Sequence, residues 1–206
     1  MNKYIVEFIG TFFLVLTVGL NVLQDNNLSP LAIGSVLMVM AFAGGHVSGA
    51  HYNPAVTLAV WIRGKCSSND LFPYMGAQLL GTVVAAWIAP IILKNPEVVA
   101  PNRDVRLALL AEFLFTFALA YVVLNVATAK GTSDNTFYGL AIGFTVMVGA
   151  FSVGKVSGGV FNPAVAVGMS LMGLAQWSDL WIYLASNFVG GAAAAIAFKI
   201  INPGDV

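Results

Sequence analysis

The chain is poor in charge, in cysteine and in histidine. Only 9% of its 206 residues are charged, the 9 basic and 9 acidic side chains cancel, and 2 histidines are present. A net charge of zero argues against nucleic acid or a strongly acidic molecule as a partner. The single cysteine, Cys66, excludes an internal disulfide and a cysteine-based metal site. We therefore predict no nucleic-acid partner and no metal site.

Apolar residues take the place of the missing charge. They make up 59% of the chain, and the mean hydropathy of +0.86 is far from that of a soluble domain. Six apolar segments have about the length needed to cross roughly 30 Å of hydrocarbon. These segments are residues 4–23, 31–45, 71–93, 106–128, 136–153 and 180–201. The sequence therefore predicts an all-α integral membrane protein with six transmembrane helices.

The orientation in the membrane is only weakly indicated by the charges. The first apolar segment runs past signal-peptide length and carries Glu7, so we expect it to remain as a helix. With Met1 in the cytoplasm, five basic residues lie inside and four outside, which permits this orientation without requiring it. We expect a multi-pass protein of the plasma (inner) membrane with both termini cytoplasmic.

Two short segments repeat one pattern. Residues 48–56 read SGAHYNPAV and residues 157–165 read SGGVFNPAV, and each segment is too short to cross the bilayer alone. Further matches join residues 6–12 to 111–117 and residues 74–81 to 183–190. Because each half has three spans, an odd number, the second half must enter the bilayer from the opposite side. The pattern predicts one channel domain, residues 1–206, built from inverted repeats 1–98 and 99–206 with two re-entrant half-helices.

The repeated Asn-Pro-Ala motif is typical of a helix start. It comprises Asn53, Pro54 and Ala55 in the first half, and Asn162, Pro163 and Ala164 in the second. Asparagine is a preferred N-cap and proline suits the first helical position. Capping uses the side-chain oxygen, so we expect the amide NH₂ groups to face the junction as free donors. Two positive helix ends, each about +0.5 charge, would repel cations and let neutral hydrogen-bonding molecules pass.

With these motifs, the chain resembles the aquaporin, or major intrinsic protein, family over nearly its whole length. The resemblance implies a right-handed bundle with one pore per subunit, assembled as a homotetramer, and passive flow of water or small uncharged solutes without a cofactor. It also implies that Glu7 and Glu112 brace the re-entrant loops. We expect the same bracing role, rather than pH sensing, for His46 and His51, which border the first motif.

The family's narrow outer filter is where this sequence departs from the pattern. By spacing from the two motifs, its four positions fall on Ile33, Ala150, Gly159 and Val165, where many family members carry an aromatic residue, a histidine, a small residue and an arginine. The resemblance therefore implies an apolar filter. Glycerol-conducting members of the family typically carry an aspartate soon after the second motif and long outer loops, whereas here Val165 is followed by Ala166 and the connection from residue 94 to 104 is short. We therefore favour water as the substrate. The alternative is glycerol, urea or ammonia passing through a widened filter.

Other classes of protein explain the sequence less well. A secondary transporter shares inverted repeats and broken helices, but ion coupling calls for carboxylates at the midplane, and Glu7 and Glu112 are explained as braces. A purely structural membrane protein has no use for two capped half-helices. An enzyme is disfavoured, because neither a nucleophile–base pair nor a metal-ligand cluster falls at the junction.

Overall fold

A computed structural model describes residues 1–205, and within them the protein is all-helical. Eight α-helices are present, together with two short 3₁₀ turns. They are α1 (Asn2–Val22), α2 (Ser29–Ser48), α3 (Pro54–Ile62), α4 (Ser68–Ile92), α5 (Val105–Thr128), α6 (Tyr138–Ser157), α7 (Pro163–Leu171) and α8 (Leu180–Ile201). Six are long and apolar enough to span a membrane, and α3 and α7 are the half-helices of 9 residues each. The predicted all-α fold class is confirmed.

The helices pack as two matched sets. In the first set α1 lies along α4, and in the second α5 lies along α8. Helices α2 and α6 pack against each other and join the sets. Each half-helix crosses to the other set, α3 against α8 and α7 against α4. The half-helices are therefore held between the two halves of the chain rather than at its surface.

Glycines allow the main helix pairs to approach closely. A Cβ atom placed on Gly81 of α4 would lie 2.5 Å from the carbonyl oxygen of Phe8 in α1, and one on Gly190 of α8 would lie 2.8 Å from that of Phe113 in α5. Backbone contact through small residues is a common way for helices to associate in membranes. The same device at matched positions gives the two sets similar packing.

Helices α2 and α6 extend beyond their apolar segments. The segments predicted ends near residues 45 and 153, whereas the helices end at Ser48 and Ser157. Each then terminates at a glycine in the left-handed conformation, Gly49 at φ 85° and Gly158 at φ 102°, a backbone shape that suits glycine. In each last turn the final serine is buried, whereas His46 and Lys155 are exposed.

The outside of the bundle is apolar and the inside holds polar groups. Large side chains such as Phe72, Trp87 and Ile200 are 75%, 71% and 73% exposed, whereas Glu7 and Glu112 are completely buried. Such an arrangement suits a hydrocarbon solvent, in which polar groups must find partners within the protein. The fold therefore supports an integral membrane protein.

The two ends of the bundle are named here after the arginines they carry. The Arg63 end comprises residues 63–67, 129–137 and 202–205, and the Arg103 end comprises residues 23–28, 93–104 and 172–179. At the Arg63 end, the buried guanidinium of Arg63 donates to Asp205 at 2.9 Å and lies over the ring of Phe198. The N–H of Lys130 also donates to Asp205 at 2.7 Å, and this bond, with the nearby arginine charge, holds the pKa of Asp205 below its usual range.

Candidate functional site

The two Asn-Pro-Ala motifs start the half-helices as predicted. Oδ1 of Asn53 accepts from the N–H of Ala55 at 2.9 Å and more weakly from that of Val56 at 3.4 Å. Oδ1 of Asn162 accepts from the N–H of Ala164 at 2.9 Å. Both asparagines are in the extended conformation required of an N-cap, and proline follows each of them. The N-terminal ends of α3 and α7 therefore begin at the motifs.

The amide groups of the two asparagines also tie the motifs to each other. Nδ2 of Asn53 donates to the carbonyl oxygen of Phe161, and Nδ2 of Asn162 donates to that of Tyr52, both at 2.9 Å. The donors are therefore less free than the sequence suggested, because one hydrogen of each NH₂ group is used between the loops. Each amide has two hydrogens, so one per asparagine stays available at the junction.

Glu7 collects four donors from the first loop and its neighbour. Oε1 accepts from the Ser48 hydroxyl at 2.7 Å and the His51 N–H at 2.9 Å. Oε2 accepts from the Tyr52 N–H at 2.7 Å and the Gln78 amide at 2.8 Å. Because all four partners donate, the geometry suits an ionised carboxylate, which only accepts. The carboxylate holds the loop that leads into α3.

Glu112 repeats this arrangement in the second half. Its Oε1 accepts from the Ser157 hydroxyl at 2.7 Å and the Val160 N–H at 2.9 Å, and its Oε2 from the Phe161 N–H at 2.7 Å and the Asn187 amide at 3.0 Å. The partners occupy the positions that match those around Glu7 in the repeat. This correspondence supports the predicted inverted repeat, which stays a prediction.

The two histidines assigned to bracing differ in their surroundings. His51 is buried, and its Nδ1 lies 3.2 Å from Oγ1 of Thr57, which also accepts from the Gln78 amide at 2.9 Å. His46 is exposed on the last turn of α2, and within residues 1–205 its side chain makes no hydrogen bond. The structure therefore gives bracing contacts to His51 and none to His46.

Two cavities adjoin the first re-entrant loop. The larger, about 500 Å³, is lined by both motif asparagines and reaches the Arg103 end, where Arg103 and Lys155 line it. The smaller, about 380 Å³, lies toward the Arg63 end and is lined by Lys65 and Thr128 among others. His51 and Val123 line both cavities. They therefore mark the boundary between the two.

The four residues assigned to the filter all line the larger cavity. Ile33 and Ala150 are partly exposed to it, and Val165 is buried to 5%. A Cβ atom on Gly159 would lie 3.1 Å from Cα of Ala150, so these two backbones are in contact. All four side chains are apolar or absent. They therefore contribute no charge and no polar side chain to the cavity.

Two features of this site could not be predicted from the sequence. Tyr52 and Phe161, which precede the motif asparagines, accept the crossed amide bonds through their carbonyl oxygens, a role open to any residue type. Arg103 reaches the cavity from a loop that has no pattern in common with the repeat. Both contacts join segments far apart in the chain, so composition and spacing do not predict them.

Six apolar helices surround two half-helices whose N-terminal ends meet beside a cavity lined by both motif asparagines, and this architecture defines a channel-type membrane protein. The sequence model described as Major intrinsic protein matches residues 1–198. The chain belongs to the major intrinsic protein family, whose members are passive channels rather than enzymes. The resemblance noted from the sequence is confirmed.

Individual relatives are similar over nearly the whole chain. Aquaporin NIP1-1 of Oryza sativa subsp. japonica is 32% identical over 215 residues, which cover 98% of this chain and 75% of the relative. Glycerol uptake facilitator protein-like 6 of Lactiplantibacillus plantarum is also 32% identical, over 217 residues and 100% of both chains. Among solved structures, the aquaglyceroporin of Plasmodium falciparum has a TM-score of 0.80 at 21% identity, covering 98% of this chain and 96% of that one. The last likeness supports the fold.

Proposed function

We propose that this protein is a passive channel for small uncharged solutes of about the size of glycerol or urea, with water using the same pore. The observation that carries the proposal is that Ile33, Ala150, Gly159 and Val165, which we propose form the filter ring, add no polar side chain to a cavity of about 500 Å³. Relatives named as aquaporins and as a glycerol uptake facilitator fit such a channel equally well. The sequence alone favoured water, so this proposal widens the substrate class.

A solute would meet donors and apolar walls in turn. The unused amide hydrogens of Asn53 and Asn162 donate to a hydroxyl or carbonyl oxygen at the junction. Val56 and Val165 line the same cavity and suit a carbon backbone. The positive ends of α3 and α7 meet at this point and oppose the passage of cations. Neutral molecules with hydrogen-bonding groups would therefore pass, while small cations would be held back.

The setting of the channel follows from the same features. The exposed apolar side chains face lipid, and we place both termini in the cytoplasm of the plasma membrane, so the Arg103 end is extracellular. A homotetramer, one pore in each subunit, is the assembly that the family resemblance suggests. Crosslinking in native membranes tests this assembly, and a ladder that stops at the monomer would contradict it.

A water-specific channel is the second candidate. His51 and Val123 line both cavities and mark where one cavity ends and the other begins. A narrow passage at this boundary, wide enough for water but not for a bulkier molecule, would make the channel specific for water. The experiment below separates the two candidates.

Stopped-flow light scattering on proteoliposomes tests the proposal. Shrinkage under an impermeant osmolyte reports water, and re-swelling in glycerol or urea reports solute. We expect fast shrinkage and re-swelling with at least one of the two solutes. Shrinkage without re-swelling would favour the water-specific channel, and neither process above empty liposomes would contradict a channel of either kind.

Val165→Arg tests where the solute is selected. A guanidinium at this position would occupy the ring next to Ala150 and Gly159, so we expect glycerol flux to fall at least tenfold, on the order of 1.4 kcal/mol or more of added barrier. Val99→Arg is the matched control, because Val99 is 91% exposed in a loop at the mouth of the cavity. Equal glycerol flux in Val165→Arg and wild type would show that Val165 does not form the constriction.

A further inference from the structure

The mouth of the larger cavity carries a cation that the proposed function does not use. Arg103 lies in the connection between α4 and α5, is partly buried and lines the cavity. Its guanidinium rests against the loop before α7, since a Cβ atom on Gly158 would lie 3.1 Å from Nη2 and 3.3 Å from Cζ of Arg103. With φ at 102° and no side chain, Gly158 leaves this space to the guanidinium.

The position of Arg103 places its charge beside the filter ring. Gly158 is followed directly by Gly159, the ring residue whose backbone touches Ala150. The guanidinium also lies near the phenol of Tyr183, whose hydroxyl donates to the carbonyl oxygen of Ser157 at 2.9 Å. Arg103 and Tyr183 therefore both lie against the loop of residues 157–159.

The charge of Arg103 is available to molecules that enter the pore. Within residues 1–205 the ion pairs are Lys3–Asp70, Arg63–Asp205 and Lys130–Asp205, and none of them includes Arg103. Lys155, Asp25 and Glu97 also line the cavity, but neither carboxylate lies within 4 Å of the guanidinium. The filter ring itself has no charged member, because valine occupies position 165. A guanidinium offers five N–H donors in a fixed plane.

We propose that Arg103, from a connecting loop, is a specificity-determining residue that provides at the pore mouth the cationic charge and hydrogen-bond donors that the filter ring lacks. This inference rests on the proposed channel function. The guanidinium repels cations before they reach the asparagine junction, and its N–H groups donate to the oxygen atoms of neutral solutes. The ring of apolar residues then selects by shape, while the loop arginine selects by charge.

Arg103→Gln in proteoliposomes tests the inference. Proton leak is followed with a trapped pH dye and sodium leak with a trapped sodium dye, and shrinkage is recorded on the same vesicles. We expect the proton or the sodium leak to rise at least about fivefold above wild type, the effect of one unit charge at 4 Å even in bulk water. Shrinkage faster than that of empty liposomes shows that the variant is folded and inserted.

Two further variants serve as controls. Arg106→Gln removes the same charge from the same end of the bundle at an exposed position outside the cavity lining, and should leak as little as wild type. Arg103→Lys keeps a cation and should retain most of the exclusion. Arg103→Ala removes the side chain altogether and repeats the test should the glutamine variant fail to insert.

A double variant tests whether the arginine stands in for a filter charge. In Arg103→Gln/Val165→Arg the cation returns to the ring itself, so the leak should fall back toward the wild-type value. The role of Arg103 would be overturned if the proton and sodium leaks of Arg103→Gln stayed within twofold of wild type. It would also be overturned if the leaks of Arg106→Gln rose as much as those of Arg103→Gln. Wild-type vesicles that neither shrink nor re-swell faster than empty ones would instead overturn the proposed channel function, so the two failures are distinguishable.

Discussion

Replacing Glu7 by glutamine tests whether a carboxylate holds the first re-entrant loop. Glu7 is completely buried and receives four hydrogen bonds of 2.7 to 2.9 Å. Glutamine has nearly the same shape but only one acceptor oxygen. If that oxygen keeps the bonds from Ser48 and His51, the new NH₂ group faces the donors of Tyr52 and Gln78.

The loss of stability follows from the two donors that lose their acceptor. Each costs about 1–3 kcal/mol when it is left buried without a partner. Gln78 can recover part of this loss by turning its amide, since its own Oε1 is buried without a hydrogen bond within residues 1–205. We therefore expect Glu7→Gln to lower the free energy of unfolding by about 2–5 kcal/mol.

Thermal unfolding in detergent measures this loss. For a chain of this size, each kcal/mol shifts Tm by about 2–4 °C, so a decrease of about 4–20 °C is expected. Glu97→Gln is the matched control, because Glu97 is exposed and should leave Tm unchanged. A Tm of Glu7→Gln within about 2 °C of wild type corresponds to a loss of about 1 kcal/mol or less. That result would refute the argument that four donors converge on the carboxylate of Glu7.

Two other substitutions probe the junction and the Arg63 end. Asn162→Asp places an oxygen where Nδ2 now donates to the carbonyl of Tyr52, so the contact between the two loops should weaken. We expect the proton leak of proteoliposomes to rise. An unchanged proton leak would contradict the proposal that the asparagine donors and the positive helix ends exclude cations. Asp205→Asn removes the partner of Arg63 and should lower Tm at neutral pH. The fold lowers the pKa of Asp205, so the contribution of the Asp205 carboxylate to stability is complete above the ordinary pKa of 3.8. This contribution is lost as the pH falls through the lower folded pKa. The Tm difference between Asp205→Asn and wild type should therefore shrink only in strong acid. A difference that persists there unchanged would contradict the ion pair.

Much of the architecture was predictable because a membrane imposes simple rules. Apolar segments of sufficient length marked all six spans, and Asn-Pro-Ala marked the starts of α3 and α7 at Pro54 and Pro163. Helix ends were predicted less well, since Ser48 and Ser157 are polar yet helical. They stay helical because Glu7 and Glu112 accept their hydroxyl hydrogens, a contact between distant segments.

The chemistry of the site was predictable only in part. The motif fixes Asn53 and Asn162 as caps, but nothing in it shows that their amides cross to the opposite loop. The two histidines look equivalent in the sequence but differ in the fold, because His46 is exposed on α2 whereas His51 is buried in the loop before α3, beside Thr57. Arg103 could not be assigned at all, since its place depends on how a connecting loop folds over the bundle.

The contact between α2 and α6 bears on how this protein could be re-engineered. Their backbones meet at Gly34 and Gly143, where a Cβ atom on Gly34 would lie 2.6 Å from the carbonyl oxygen of Gly143. Ile33 is the neighbour of the first glycine, and Ala150 lies two turns beyond the second on the same helix. The contact between α2 and α6 therefore has no room to close further at these glycines. Under the proposed function, new side chains at Ile33 and Ala150 would change which solutes pass while the packing of the two helices stays fixed.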